Sequence, residues 1–251
     1  MRLENKVAII SGAGAGIGEA TAVRFAEEGA RLVLADYDAA AVRAVAARFG
    51  GSAIAVPSDI SVEADARKIS QAAMEAFGAI DIVVNNAANF TTKSVDDATM
   101  ADWQKVLGVN VIGTSMVSKY AIPHLKARGQ GSIVNISSRS GILAQRNFAT
   151  YNASKGAILT LTRCMALDLA PFKIRVNSIC PGAIITTAAE REWKSQGLTR
   201  EQWIAREGPS HMLNRVGEPR EVANAILFLA SDESSFVTAA HLTVDGGCIW
   251  Q

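Results

Sequence analysis

Short β-branched runs alternate with longer helical patterns along nearly the whole chain, and that alternation limits the fold more than any other feature. Val7–Ile10, Arg31–Ala35, Ala53–Val56, Ile80–Val84, Ser132–Ile136, Arg175–Ile179 and His241–Val244 have strand length and strand composition. Between them lie segments with helical spacing, such as Gly18–Glu28, Ala39–Arg48 and Val62–Phe77. Strands and helices in strict alternation build βαβ units and a parallel sheet. The strand runs are almost wholly apolar, the pattern of strands covered by helices on both faces. Gly29, Gly50 and Gly78 stand where helices are expected to stop. A single α/β domain over residues 1–251 is expected, because no linker, repeat or low-complexity tract divides the chain. Residues 186–213 break the rhythm. The segment is polar and charged, carries Trp193 and Trp203, and is read as a small helical lid over a pocket. A plain surface insertion is the alternative.

Composition narrows the classes of function. Hydrophobic residues make up 49% and charged residues 20%, which supports a packed core rather than disorder. A net charge of +1 with scattered Lys and Arg argues against nucleic acid and anionic membrane as partners. Cys164, Cys180 and Cys248 are odd in number and widely spaced, so neither a disulfide framework nor a metal site is expected. No stretch has the length of a membrane span or a signal-peptide core, and a cytoplasmic location is expected.

The first strand runs into Ser11-Gly-Ala-Gly-Ala-Gly-Ile-Gly18, and a helix follows. Glycines at a strand-to-helix turn let the backbone approach a pyrophosphate, and the helix start offers free N–H groups. Ser11, Gly12, Ala15, Gly16, Ile17 and Gly18 are therefore candidate cofactor contacts. Asp36 ends the second strand, where a carboxylate can accept hydrogen bonds from adenosine ribose hydroxyls and repel a 2′-phosphate. Ala15 and Tyr37 occupy the positions where a phosphate site would want a cation, which favours NAD over NADP. Asp59 and Ile60 follow the third strand, at an adenine edge. Asn85-Asn86-Ala87-Ala88 follows the fourth, making Asn86 and Ala87 further candidates. Ligands of open parallel sheets bind outside these carboxyl ends.

A second constellation carries acid–base chemistry. Ile133-Val-Asn-Ile-Ser-Ser138 is a strand ending in hydroxyls, and Tyr151-Asn-Ala-Ser-Lys155 opens an apolar helix. Residues four apart share a helix face, so the phenol and the ammonium point the same way. A nearby ammonium and a positive nicotinamide ring favour the phenolate. Tyr151 would then exchange a proton with an alcohol or ketone, and Ser138 would steady the substrate oxygen. Alone, a Tyr-x-x-x-Lys pair is as well explained by an ordinary helix surface. Its company changes that balance.

With these pieces in order, the chain resembles the short-chain dehydrogenase/reductase family over essentially its whole length. The matching segments are Ser11-Gly-x-x-x-Gly-x-Gly18, Asp59-Ile60, Asn85-Asn86-Ala87, Asn110-Val-Ile-Gly113, Ser138, Tyr151-x-x-x-Lys155, Pro181-Gly182 with Thr186, and Asp245-Gly-Gly247. Two positions depart from the family pattern. Ser11 replaces the usual Thr, and Ala88 stands where Gly is usual. The resemblance implies a doubly wound Rossmann fold with a seven-stranded parallel sheet, bound NAD, and hydride transfer between a secondary alcohol and a ketone. It also implies that Asn110 holds a relay water, that Lys155 binds the nicotinamide ribose, and that Pro181, Gly182, Ile184 and Thr186 flank the nicotinamide. A homotetramer is the family expectation.

Two rivals remain open at this stage. One is an NADPH-dependent 3-oxoacyl thioester reductase, against which Asp36 argues. The other is a non-catalytic NAD-binding regulatory protein, which has no need for Asn110, Ser138, Tyr151 and Lys155 together. Ser140 and Tyr151 are expected to touch substrate beside Ser138. Leu143, Asn147, Ile184, Trp193 and Trp203 are candidate walls. Arg139 and Arg146 are read either as greeting an anionic substrate or as facing solvent or a neighbouring subunit. His211 is read as structural, since no metal-ligand partner accompanies it. Trp250 is read as packing at a subunit interface or closing a core.

Overall fold

A computed structural model describes residues 1–250. Seven strands form one parallel sheet: β1 (Val7–Ser11), β2 (Arg31–Asp36), β3 (Ala53–Pro57), β4 (Ile82–Asn85), β5 (Gly131–Ile136), β6 (Ile174–Pro181) and β7 (His241–Val244). Their order is β3-β2-β1-β4-β5-β6-β7. The chain leaves β1 for one edge, then returns to build the other half from β4. The fold is therefore doubly wound, with its switch point between β1 and β4.

Nine helices link the strands: α1 (Gly16–Glu27), α2 (Ala39–Ala47), α3 (Glu63–Phe77), α4 (Met100–Leu107), α5 (Thr114–Arg128), α6 (Ala149–Leu169), α7 (Thr187–Ser195), α8 (Arg200–Glu207) and α9 (Pro219–Ala230), all among the described residues. Alternate strand residues feed two cores. Ala8 and Ile10 join Phe25 of α1, Val42 of α2 and Ile226 of α9 on one face. Val7 and Ile9 join Ile69 of α3, Leu125 of α5 and Leu169 of α6 on the other. Burial on both faces explains why the strands read as unbroken apolar runs. No described helix is long and apolar enough to cross a membrane.

All seven expected strands are present, with shifted ends. The fourth begins at Ile82 rather than Ile80, because Asp81 has another task. Its buried carboxylate accepts from Val7 N at 2.9 Å and from Arg128 Nε at 2.9 Å. The sixth runs on to Pro181, since Cys180 and Pro181 still pair with Thr243 and Val244 of β7. Gly78 caps α3 in the left-handed region, whereas α2 ends at Ala47, short of Gly50. Residues 186–213 form α7, α8 and a short 3-10 turn, Gly208–Ser210. Of the two tryptophans, Trp193 also borders a cleft beside α1, and Trp203 is not among that cleft's walls. Their ring centroids lie 5.3 Å apart, and both are buried in a separate small core with Ala183, Ala189 and Val216.

Candidate active site

The carboxyl ends of β1, β2 and β4 bring the expected cofactor residues to one edge of the sheet. Ser11 ties the switch point together. Its hydroxyl accepts from Asn86 N at 3.1 Å and from Ala87 N at 3.2 Å. Asn86 Nδ2 donates to the carbonyls of Ser11 and Gly12, at 3.0 and 2.9 Å. Serine in place of threonine keeps this hydroxyl. Ala88 is exposed and is not among the residues with positive φ, so its methyl imposes no backbone strain.

The glycine loop has the shape of a phosphate cradle. The N-cap of α1, Ala15, has no side-chain cap, so the helix's first N–H groups are left for a ligand. Gly12 has φ +66°, and a Cβ there would lie 2.7 Å from Ala87 Cα. A Cβ on Gly18 would lie 2.0 Å from the Gly12 carbonyl oxygen. Gly16 faces Thr186, and both border a cleft of about 570 Å³ between α1 and α7. Asp36 Oδ2 accepts from Gly14 N at 2.9 Å, and Oδ1 accepts from Asp38 N at 3.0 Å. The carboxylate thus stands beside the loop, where a ribose edge belongs. Arg48 is already paired with Glu19 at 2.6 Å. These features fit a nicotinamide dinucleotide. Asp59 turns inward on its own loop, accepting from Ser61 N and Oγ at 2.9 and 2.6 Å. Ile60 is buried against Gly113.

Beyond this cradle lie the acid–base residues. Tyr151 lies in the first turn of α6, and the hydroxyl of Ser138, just past β5, is near enough to favour its phenolate. Ser138 Oγ also accepts from Ser140 N at 3.1 Å, which fixes its direction. Lys155, one turn on, is buried and donates to Ile136 O at 2.7 Å. Its Nζ lies 5.5 Å from the Tyr151 ring centre. Desolvation pushes the phenol up to about 12; the Ser138 hydroxyl opposes the rise and the Glu192 carboxylate adds to it. Desolvation likewise brings the Lys155 ammonium down to about 8, with the Cys180 thiol opposing.

Asn110 sits in a π-helical turn, Gly108–Gly113, between α4 and α5. Such turns are frequent at functional sites because they open the helical ladder. Its amide is already engaged. Oδ1 accepts from Asn89 N at 2.7 Å, and Nδ2 donates to Asn89 O at 3.1 Å and Ser154 Oγ at 2.9 Å. Asn110 thereby holds the loop after β4 against α6.

Several side chains differ from expectation. The Ser140 hydroxyl is buried and donates to Gln145, so Ser140 supports Ser138 from behind rather than facing the crevice. Arg139 greets neither substrate nor solvent. It is mostly buried and donates to Glu207 Oε2 at 2.9 Å, Ser210 Oγ at 3.2 Å and Cys248 Sγ at 3.1 Å. Arg146 is exposed. His211 is structural: Nε2 accepts from Ala183 N at 3.1 Å, and Nδ1 bonds Glu207 O at 2.9 Å. It ties the end of α8 to the loop holding Gly182, where a Cβ would lie 2.8 Å from His211 Nε2. Trp250 is 77% exposed and closes no core within the chain. No cluster of metal-ligating side chains occurs among the described residues.

Two aromatic residues went unnoticed in the sequence. Phe90 packs edge-on against Tyr151, with centroids 4.7 Å apart, and Phe148 stands 5.6 Å from Phe90. They form an apolar wall beside the phenol.

Comparison with known proteins gives one consistent result. A family model described as enoyl-(acyl carrier protein) reductase matches residues 12–248. Meso-2,3-butanediol dehydrogenase of Serratia marcescens is 42% identical, over 98% of this chain and 96% of the relative. The NADP-dependent (R)-specific alcohol dehydrogenase of Lentilactobacillus kefiri is 38% identical, over 98% and 97%. The crystal structure of 3-ketoacyl-(acyl-carrier-protein) reductase from Brucella melitensis, complexed with NADH, superposes with a TM-score of 0.90 at 36% identity, covering 98% of this chain and 99% of that one.

Proposed function

The chain belongs to the short-chain dehydrogenase/reductase family, and from that premise we propose that it is an NAD-dependent dehydrogenase that oxidises a secondary alcohol to a ketone. The observation that carries the reading is the meeting of Ser138, Tyr151 and Lys155 at the same sheet edge as an uncapped helix start and the Asp36 carboxylate beside the glycine loop. Bound NAD supplies the hydride acceptor. The chain's residues do the rest. Ser138 donates to the substrate oxygen and holds it against Tyr151. Tyr151 removes the hydroxyl proton as the carbon loses hydride, or returns it in reduction. Lys155 binds the nicotinamide ribose and favours the phenolate through its charge. Pro181, Gly182, Ile184 and Thr186 would flank the nicotinamide. Because the Asn110 amide is engaged, a relay water near Lys155 would be held by main-chain atoms of the π turn.

The relatives leave the cofactor open, since one is named NADP-dependent and one structure holds NADH. Asp36 supports NAD, because its carboxylate would repel a 2′-phosphate at the place it already fills. The 3-oxoacyl thioester reductase reading keeps one structural neighbour in its favour. A homotetramer is proposed as well. β7 ends the sheet with a free edge, and Phe236 and Trp250 nearby in sequence are exposed. The test is a panel of secondary alcohols with NAD and with NADP at equal concentration, followed by reduced-cofactor absorbance, on wild type and Tyr151→Phe. Turnover lost by about 100-fold or more in Tyr151→Phe, with NAD binding retained, is expected. Retained turnover in that variant would end the proposal.

A further inference from the structure

Tyr151 and Lys155 ride on a helix that does not cap itself. Phe148, the N-cap of α6, makes no side-chain cap hydrogen bond. Residues 89–93, in the loop after β4, serve in its place. Lys93 O accepts from Ala149 N at 3.0 Å, which satisfies one of the free N–H groups of the first turn. Thr91 O accepts from Thr150 Oγ1 at 2.8 Å. Both ends of this stretch are anchored elsewhere. Asn89 exchanges two hydrogen bonds with the Asn110 amide, at 2.7 and 3.1 Å, and Lys93 pairs with Asp102 of α4 at 3.0 Å. The backbone is therefore pinned on both sides of Phe90.

What this pinning holds in place is a ring contact. Phe90 meets Tyr151 edge-on, with centroids 4.7 Å apart and planes at 73°. Phe148 stands edge-on to both, 5.6 Å from Phe90 and 6.5 Å from Tyr151. Edge-on pairs prefer a definite geometry, so each ring restricts the tilt of its neighbours. Core packing does not account for this triangle. Neither Phe90 nor Phe148 belongs to any of the three apolar cores. Phe90 is 37% exposed, whereas Phe25 in the sheet core is fully buried. Its main partner is the phenol itself.

We propose that Phe90 is a positioning residue for Tyr151: its pinned ring fixes the tilt of the phenol and keeps water from that side. This rests on the acid–base role proposed above for Tyr151. A general base works only within hydrogen-bond reach of the proton it takes, and a misplacement of about 1 Å can cost about a hundredfold in rate. Removing the ring has two separable consequences. The phenol gains freedom to swing, which lowers turnover, and water reaches it, which eases its ionisation. The charges around the phenol stay the same: Lys155 on its own helix, 5.5 Å from the ring centre, and Glu192 of α7, whose charge opposes ionisation. On the pinned stretch, Lys93 is already paired with Asp102.

Wild type, Phe90→Ala, Phe90→Leu and Phe90→Tyr are compared, each also with Tyr151→Phe added. One readout is kcat and KM across pH with NAD and 2-butanol, cyclohexanol or 1-phenylethanol. The other is Tyr151 phenolate absorbance in the NAD complex, taken as the difference from the matching Tyr151→Phe protein. NADH affinity and Tm check the cofactor site and the fold. In Phe90→Ala the alkaline plateau of kcat should fall about tenfold or more, with KM for NAD unchanged. Its phenolate should form at a pH lower by about one unit. Phe90→Leu keeps apolar bulk without the edge-on ring and should lose part of kcat with a smaller pH shift. Phe90→Tyr keeps the ring and should hold kcat within about threefold of wild type. An unchanged kcat in Phe90→Ala, a loss with the phenolate midpoint unmoved, or an equal loss in Phe90→Tyr would overturn the proposal. If Phe90→Ala does not fold, the contrast between Phe90→Leu and Phe90→Tyr decides. If wild type turns over none of the alcohols, the reaction reading fails, and the phenolate midpoint still decides whether Phe90 shields Tyr151.

Discussion

The order in which Tyr151 and Lys155 ionise tests the acid–base chemistry most directly. In the protein alone, desolvation takes the phenol up to about 12 and the ammonium down to about 8. Raising the pH therefore discharges Lys155 long before Tyr151 ionises, the reverse of what alcohol oxidation needs. At pH 8 only about one such phenol in ten thousand is ionised. Lys155 Nζ lies 5.5 Å from the Tyr151 ring centre. At an effective dielectric of about 20, a unit charge at that distance is worth roughly 3 kcal/mol, or about a hundredfold in ionisation. Hydrogen bonds from the ammonium to the ribose hydroxyls of bound NAD would keep Lys155 charged and secure that factor. A second positive charge beside the phenol, on the oxidised nicotinamide, adds a factor of similar size. Together they recover about four powers of ten and bring the phenolate into the mildly alkaline range. The assay is the phenolate absorbance difference between wild type and Tyr151→Phe, with and without NAD. Subtraction cancels Tyr37 and Tyr120, the other two tyrosines. Without NAD, Tyr151 phenolate should be absent below about pH 11. With NAD it should form about a thousandfold or more as readily, and in Lys155→Met that gain should shrink by about a hundredfold. Phenolate below about pH 9 without cofactor, or an undiminished NAD effect in Lys155→Met, would refute the reasoning.

Three other substitutions test the frame around this centre. Asp36→Asn removes the charge facing the 2′ position, so the preference for NAD over NADP in kcat/KM should fall by about tenfold or more; an unchanged ratio would remove Asp36 from cofactor choice. Gly18→Ala sets a methyl 2.0 Å from the Gly12 carbonyl oxygen, and NADH affinity measured by fluorescence should drop by about tenfold or more with the sheet intact by circular dichroism. Arg139→Met leaves Glu207 with Arg206 alone and should cost about 2 kcal/mol, seen as a fall in Tm of roughly 4–8 °C, with part recovered by adding Glu207→Gln.

Much of the fold is legible in the sequence because its strands are buried on both faces. Val7–Ile10 and Ile82–Val84 carry no polar residue to blur them. Strand ends are less legible, since they depend on partners far away in sequence. Asp81 reads as the middle of a strand until its bonds to Val7 and Arg128 are seen. The π turn at Gly108–Gly113 has no signature of its own, because Gly-Val-Asn-Val-Ile-Gly suits an ordinary helix equally well. In the structure Asn110 in this turn bonds Asn89 through both amide atoms, and Gly113 packs too close to Ile60 to admit a Cβ.

The site divides along a similar line. Residues that act through the backbone or through a fixed spacing are readable: the glycine loop, Asp36 at a strand end, and Tyr151 one turn before Lys155. Residues that act through a charge balance are not. Arg139 looks like a substrate anchor because it follows Ser138 directly, yet its partner Glu207 lies 68 residues on, in a different helix. Once Glu207 takes both arginines at short range, Glu192 is the carboxylate left over. Its spacing on α7 marks it only as one more charge in a polar lid. What separates it from Glu190 is the position of other groups: Lys194 one turn away pairs with Glu190 in solvent at 2.6 Å, while the sheltered Glu192 meets Arg206 only at 4.0 Å.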